Sequence, residues 1–220
     1  MSRLIRWLIF LAIIAGGLQW FMPRWAADAM AQEIQRMDHG PKPTVALTAR
    51  PFWELFGGRF KALAVEASNA EFKSLVVRRV SLHWTNGVIS LSALEKGHVA
   101  VLQPGKMRLS ILLTGADLSS FLAKQGSIVH PEVMIVPSGV SLRGEISLGG
   151  SAVPLNTQGK LTVSPNHEAL IFHPSRIDGL NIPVMTKMQL LNLSTMKLPV
   201  DLGIDAVTLG VGQIVLTVGN

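Results

Sequence analysis

The sequence contains no cysteine. A chain without cysteine forms no disulfide bond, no thiolate metal site and no cysteine nucleophile. The folded part must therefore be stabilised by its hydrophobic core alone. With 220 residues, of which 48% are apolar, the chain is long and apolar enough to form such a core.

Charged residues are scarce as well, at 15% of the chain against roughly 25% in average soluble domains. The net charge is +6, but the basic residues after the N-terminal segment are scattered, and Arg78 and Arg79 are their only adjacent pair. Without a basic stripe or an aromatic ladder, nucleic acid is not a predicted partner. A domain with so little charge is typical of proteins that have an internal apolar cavity or an exposed apolar patch.

Signatures of catalysis are also missing. The six histidines show no H-E-x-x-H spacing, and no G-x-S-x-G motif occurs. Ser194 and Lys197 match Ser-x-x-Lys, but the companion motifs S-D-N and K-T-G are absent. Asp201 and Asp205 would lie roughly 13 Å apart along a strand, too far for a paired acid–base site. We therefore expect no enzymatic activity, no metal site and no cofactor.

The N terminus contains a long apolar run. Residues 4–22 contain one charge, Arg6. As a helix this run would be roughly 28 Å long, close to the thickness of a bilayer core. Arg3 and Arg6, at the start of the run, favour a cytoplasmic N terminus with the following chain outside. The sequence thus predicts a single-pass anchor in the cytoplasmic membrane of a cell-envelope protein.

A cleaved signal peptide is the alternative interpretation of this run. Ala29-Met30-Ala31 is an A-x-A site, and cleavage there would release a secreted protein. Pro23-Arg24-Trp25 would then lie in an unusually long segment before the cleavage site, which favours a retained anchor. The predicted organisation is an anchor or signal at residues 1–31, a helix end and linker at 32–43, and one domain at 44–220.

Hydrophobic periodicity in residues 44–220 predicts an α+β domain with a large antiparallel sheet. Long alternating runs joined by short turns within residues 127–177 are typical of a meander with one wet face. Pro131 inside the first of these runs indicates an edge strand or a bulge. Asn86-Gly87 predicts a tight turn, and residues 200–218 predict a closing hairpin.

Amphipathic helices are predicted at four places. Residues 23–37 place Ala26, Met30 and Ile34 on one face. Residues 51–56, 115–125 and 183–192 form three further helices that must cover or line the apolar face of the sheet. For residues 115–125, Thr114 and Asp117 predict a capping box at the start, and Gly126 predicts the end.

Five segments together carry a resemblance to a known family. They are ARPFWELFGGRFKALAVEASN (49–69), LTGADLSSFLAKQ (113–125), GVSLRGEISLGGSAVPLNTQGKLTV (139–163), LIFHPSRIDGLNIPVMT (170–186) and LPVDLGIDAVTLGVGQIVLTV (198–218). In this order the chain resembles the LmeA-like phospholipid-binding family of bacterial exported proteins over nearly all of residues 44–220. The resemblance implies a curved sheet, partly wrapped around helices, that shelters the acyl chains of a phospholipid.

The apolar faces of three predicted helices are the candidate lipid-binding residues. Each side chain is either ordinary core or pocket lining, and the first helix has a further alternative: Phe52 and Trp53, next to Arg50 and Arg59, contact a membrane surface. The leading hypothesis is non-enzymatic binding, or transfer, of phospholipid outside the cytoplasmic membrane. The alternative is a cell-envelope adaptor that binds a protein through its sheet edge or aromatic residues. The candidates are Phe52, Trp53, Leu55, Phe56, Leu118, Phe121, Leu122, Val184, Met185, Met188 and Leu191.

Overall fold

A computed structural model describes most of the chain after residue 20. The described residues are 21, 23–32, 35, 41–72, 75–94, 100–126, 128–148, 151–178, 188–193 and 200–220. They form two compact units: one drawn from residues 1–66 and 82–107, the other from residues 67–81 and 108–220.

Most of the described residues are in strands, of which this part of the chain contains twelve. The strands form a seven-stranded sheet in the order β1-β2-β3-β5-β12-β11, with β4 paired to β3, and a five-stranded sheet in the order β10-β9-β8-β7-β6. Their bounds are β1 Thr44–Thr48, β2 Arg59–Phe72, β3 Leu75–Ile89, β4 Val101–Gln103, β5 Lys106–Thr114, β6 Val129–Val136, β7 Gly139–Leu148, β8 Ser151–Val163, β9 Ala169–Asp178, β10 Met188–Asn192, β11 Gly203–Leu209 and β12 Gln213–Gly219.

The predicted antiparallel architecture is confirmed. Strands β6 to β9 form the meander, with each strand paired antiparallel to the next, and β11 and β12 form the closing hairpin. The pairing of β6 with β7 is shifted between Val129 and Glu132, and β6 lies at the edge of its sheet. Both features are expected around Pro131, because proline has no N–H to donate to a neighbouring strand.

Helices are few among the described residues. Residues 23–32 are helical (α1), Phe52–Gly57 form a 3₁₀ helix, and α2 and α3 span Leu91–Leu94 and Gly115–Gln125. None of the helices in the described part of the chain has the length and apolar character needed to span a bilayer. The predicted span at residues 4–22 lies outside the described residues, apart from Phe21.

The buried face of α1 differs by one residue from the predicted one. Ala27 and Ala31 are buried, whereas Ala26 and Met30 are half-buried. The two buried alanines are four residues apart, so they lie on one face of the helix.

The caps of α3 are as predicted. The Asp117 backbone N–H donates to the Thr114 hydroxyl oxygen at 3.2 Å, and the Thr114 N–H donates to the Asp117 carboxylate at 2.9 Å. This reciprocal pair satisfies two N–H groups that the helix itself leaves without acceptors. Gly126 ends the helix with φ +70°, a conformation that glycine adopts without steric cost.

The helix predicted for residues 183–192 is wrong where the structure describes it. Met188–Asn192 is strand β10, in which Gln189 pairs with Ile171 and Leu191 with Leu170 of β9. Residues 183–187 lie outside the described residues. A register shift between Gln189 and Leu191 allows the consecutive Leu190 and Leu191 to be both buried. The described part of the apolar pattern that suggested a helix, Met188 and Leu191, therefore lies in a bulged strand.

The tight turn predicted at Asn86-Gly87 is also wrong, because β3 continues through it to Ile89. Asn86 has φ +54°, so the dipeptide does adopt an unusual backbone conformation, but inside a strand. A Cβ atom on Gly87 would lie 2.5 Å from the Phe60 ring and 2.6 Å from the Trp84 ring. These two rings meet edge to face at 4.8 Å, so the glycine makes room for an aromatic pair.

Candidate functional site

Helix α3 lies on the five-stranded sheet and buries its apolar stripe there. Leu118 and Leu122 are 1% and 3% exposed, and they are four residues apart, on one face of the helix. On the sheet side, alternation places Val140 and Leu142 of β7 on the inner face, next to Val133 of β6. Between helix and sheet is a small hollow lined by Leu118, Leu122, Val133, Val140, Leu142, Phe172 and Leu190.

The lining of this hollow is entirely apolar and its volume is small. It encloses about 10 Å³, roughly the space that one water molecule needs. Pockets for small-molecule ligands measure roughly 300–1,000 Å³. An acyl chain therefore enters this interface only if α3 moves away from the sheet.

The N-terminal half of α3 is held at the edge of β6 by hydrogen bonds. The Ser119 hydroxyl accepts from the Val133 N–H and donates to the Gly115 carbonyl, both at 2.8 Å. The Gly115 N–H donates to the Gly212 carbonyl at 3.2 Å, and the Gly212 N–H donates to the Ile135 carbonyl at 2.9 Å. These bonds satisfy outward-facing backbone groups of β6, which an edge strand otherwise presents to other chains.

The C-terminal half of α3 is held more weakly. Lys124 lies 3.7 Å from the carboxylate of Glu71, and both side chains are about half exposed. Exposed ion pairs of this kind contribute about 0–1 kcal/mol. Apolar packing of Leu122 supplies the main contact here, so the helix has a firmly bonded first half and a second half that depends on side-chain burial.

Ser119→Ala is expected to lower the free energy of unfolding by about 1–3 kcal/mol, because it leaves the Val133 N–H without its acceptor. Urea denaturation of the full chain measures the difference. Ser120→Ala is the matched control, since Ser120 is exposed on the same helix and such a surface change stays within about 0.5 kcal/mol. Equal stabilities of the two variants would show that the Ser119 bond does not hold the helix.

The other cluster of predicted site residues is the 3₁₀ helix, which belongs to the other unit. Trp53 and Phe56 are 58% and 62% exposed, and Phe52 and Leu55 are half-buried. The Phe52 ring lies 5.4 Å from the Trp53 ring and 6.2 Å from the Phe56 ring, both edge to face. We call these four residues the aromatic corner. No side chain of the corner is buried, so these candidates do not form a core.

Gly58 connects the aromatic corner to β3. Its N–H donates to the Leu55 carbonyl at 2.9 Å, and its carbonyl accepts from the Ile89 N–H at 3.0 Å. Gly58 has φ +71°, and a Cβ atom there would lie 2.0 Å from the Ile89 carbonyl oxygen. Only glycine fits this close approach in this conformation. The two hydrogen bonds of Gly58 therefore hold the end of the short helix against β3.

The remaining candidates are distributed as follows. Phe121 is half-buried at the margin of the α3 stripe. Leu191 is buried in β10, Met188 begins that strand, and Val184 and Met185 lie outside the described residues. The strand residues of the hollow were not among the candidates predicted from the sequence, although the alternation in residues 140–148 already placed Val140 and Leu142 on one face.

Within the described part of the chain, no three His, Asp or Glu side chains are grouped so that they could hold a metal ion. The hollow itself offers no acid, base or nucleophile. What the arrangement can do chemically is shelter an apolar group from water.

These features define a sheet-rich protein with an apolar interface under one helix. Comparison with family models identifies the family, because the model of LmeA-like phospholipid-binding proteins matches residues 17–219. The chain belongs to this family, which confirms the resemblance noted from the sequence. No curated protein and no solved structure matches the chain.

Proposed function

We propose that this protein binds phospholipid, without converting it chemically, by sheltering acyl chains between α3 and the five-stranded sheet. Family membership over residues 17–219 is the observation that carries the proposal. The wholly apolar interface under α3 supports this location, because an acyl chain gains about 25 cal/mol for each Å² of apolar surface that it buries.

In this proposal α3 is the movable part. Its first half remains bonded to β6 through Ser119 and Gly115, while its second half swings outward. Acyl carbons then replace Leu122 against Val140 and Leu142 of the sheet. Contacts between the helix and the sheet are replaced by contacts of the acyl chain with both, so little apolar surface becomes exposed to water.

We place this binding at the extracytoplasmic face of the cytoplasmic membrane. The apolar run at residues 4–22, with Arg3 and Arg6 at its start, supports this location. With the run retained, the domain stays within reach of its own bilayer and handles lipid locally. With cleavage after Ala31, the same domain carries phospholipid between membranes.

The adaptor hypothesis gains no support from the edge of β6. Outward-facing backbone groups of Val133 and Ile135 already bond to Ser119 and Gly212. A partner strand that added to this edge would first have to displace α3 and the β11–β12 turn.

Phe121→Asp tests the proposal directly. A carboxylate at the margin of the apolar stripe has to lose its hydration when an acyl chain slides under α3, which is costly. We expect the full chain, purified in mild detergent and analysed by native mass spectrometry, to retain at least tenfold less phospholipid than the unmodified protein.

Ser120→Asp is the matched control, because it places the same charge on an exposed position of the same helix. It also accounts for lipid that adheres to the N-terminal run. Circular dichroism checks that both variants are folded. Equal phospholipid retention in the two variants would overturn the proposed site under α3.

A further inference from the structure

Exposed large hydrophobic side chains are unevenly distributed over the described residues. Five of the nine with the highest exposure lie in the unit formed by residues 1–66 and 82–107. Four of these five are aromatic, and two of them, Trp53 and Phe56, belong to the aromatic corner. The five are Phe21, Trp25, Trp53, Phe56 and Leu102.

The aromatic corner has the geometry of a preformed insertion site. Phe52 supports both exposed rings through edge-to-face contacts, and Gly58 fixes the end of the short helix to Ile89. Because the rings are already held in place, little conformational entropy is lost when they insert into an apolar environment. Tryptophan in particular favours the boundary between headgroups and acyl chains.

Three cations flank the aromatic corner in the chain. Arg50 precedes the corner, Arg59 and Lys61 follow it, and all three side chains are exposed. Among the described residues, neither Arg50 nor Arg59 lies within ion-pair distance of a carboxylate. The one acid of the short helix, Glu54, is half-buried. Exposed apolar rings flanked by unpaired cations complement a surface that is apolar inside and anionic at its boundary.

We propose that the aromatic corner docks this protein onto the surface of a bilayer that contains anionic phospholipid. Trp53 and Phe56 enter the interface, and Arg50 and Arg59 contact lipid phosphates. The inference rests on the proposed function, since a protein that binds phospholipid has to reach a bilayer. A protein partner is the less favoured occupant, because an exposed tryptophan beside unpaired cations matches both the headgroup boundary and the anionic charge of such a bilayer.

The absence of cysteine makes a direct test possible. Gly57→Cys introduces a single thiol into the full chain, next to Phe56 and with no atom within 4 Å of the new Cβ. A nitroxide on this thiol reports its accessibility to oxygen, which concentrates in lipid, and to a water-soluble nickel complex. The protein is reconstituted into vesicles of phosphatidylcholine alone or with one third phosphatidylglycerol. Val211→Cys, at an 84% exposed position in the other unit, carries the control label.

We expect the label at position 57 to report lipid contact on the anionic vesicles and water contact on the neutral ones. The label at position 211 should report water on both. Arg50→Gln combined with Arg59→Gln, in the Gly57→Cys background, should lower the inserted fraction by at least tenfold, since each cation near an anionic surface contributes about fivefold or more. Trp53→Ser combined with Phe56→Ser should abolish insertion.

Three results would overturn the inference: a label at position 57 that stays in water on both vesicles, insertion that is equal on neutral vesicles, or insertion that persists without the two rings. Phospholipid retention, measured on the same samples by native mass spectrometry, separates this failure from failure of the proposed function. Retained lipid with a label in water overturns the docking alone. An inserted label with no retained lipid overturns the binding site alone.

Discussion

Leu122→Ala is expected to destabilise the protein by about 2–5 kcal/mol and, at the same time, to accelerate phospholipid uptake. Leu122 is 3% exposed and lines the hollow beneath α3, so its truncation removes packing that keeps the second half of the helix on the sheet. If outward movement of α3 limits uptake, each 1.4 kcal/mol removed from that step raises the rate about tenfold. Uptake is measured with a phospholipid whose acyl chain carries a fluorophore.

Leu216→Ala is the control for stability alone. Leu216 in β12 is 0% exposed and pairs with Ile111 of β5, away from the hollow, and the same truncation should cost a similar free energy. We expect slower or unchanged uptake in this variant. If both variants accelerate uptake equally, general loosening explains the effect and α3 is not the gate.

Gly58→Ala is expected to cost about 2–5 kcal/mol, the sum of a strained left-handed backbone and an overpacked contact. Its Cβ would meet a backbone carbonyl oxygen, that of Ile89, at 2.0 Å, and a backbone atom cannot rotate away as a side chain can. The bond between the Gly58 carbonyl and the Ile89 N–H should be lost with it. Thermal unfolding and hydrogen exchange of the Ile89 amide measure the two effects.

Gly57→Ala provides the comparison, since a Cβ there meets nothing within 4 Å. Alanine at this position should leave stability within about 0.5 kcal/mol. If the two neighbouring variants are equally stable, Gly58 does not fix the aromatic corner to β3. The inference that Trp53 and Phe56 are held rigidly would then be wrong.

The sequence predicted well those elements whose signals are local. Thr114, Asp117 and Gly126 mark the ends of α3 because a cap is satisfied within one turn of the helix. The meander of β6 to β9 follows from strict alternation and short turns. Each of these signals depends on residues that are close together in the chain.

Other elements were decided by partners distant in the chain. Residues 188–192 have helix-like apolar spacing but form β10, because the edge of β9 offers backbone pairing from Ala169 to Phe172. Asn86-Gly87 has the composition of a turn, but packing of Phe60 and Trp84 over the glycine keeps β3 continuous. Local propensity is worth a few tenths to one kcal/mol for each residue, so long-range contacts override it.

By itself, the sequence determined that the protein is cysteine-free, weakly charged and built largely of antiparallel strands, since composition, alternation and caps depend only on neighbouring residues. The phospholipid-binding family was indicated by the resemblance of five segments, which the family model confirms. Only the tertiary structure separated the candidate residues by environment: Leu118 and Leu122 are buried against the sheet, whereas Trp53 and Phe56 are exposed. Periodicity shows that a helix has an apolar face, but the burial of that face depends on what packs against it. That burial is set by contacts between segments far apart in the chain.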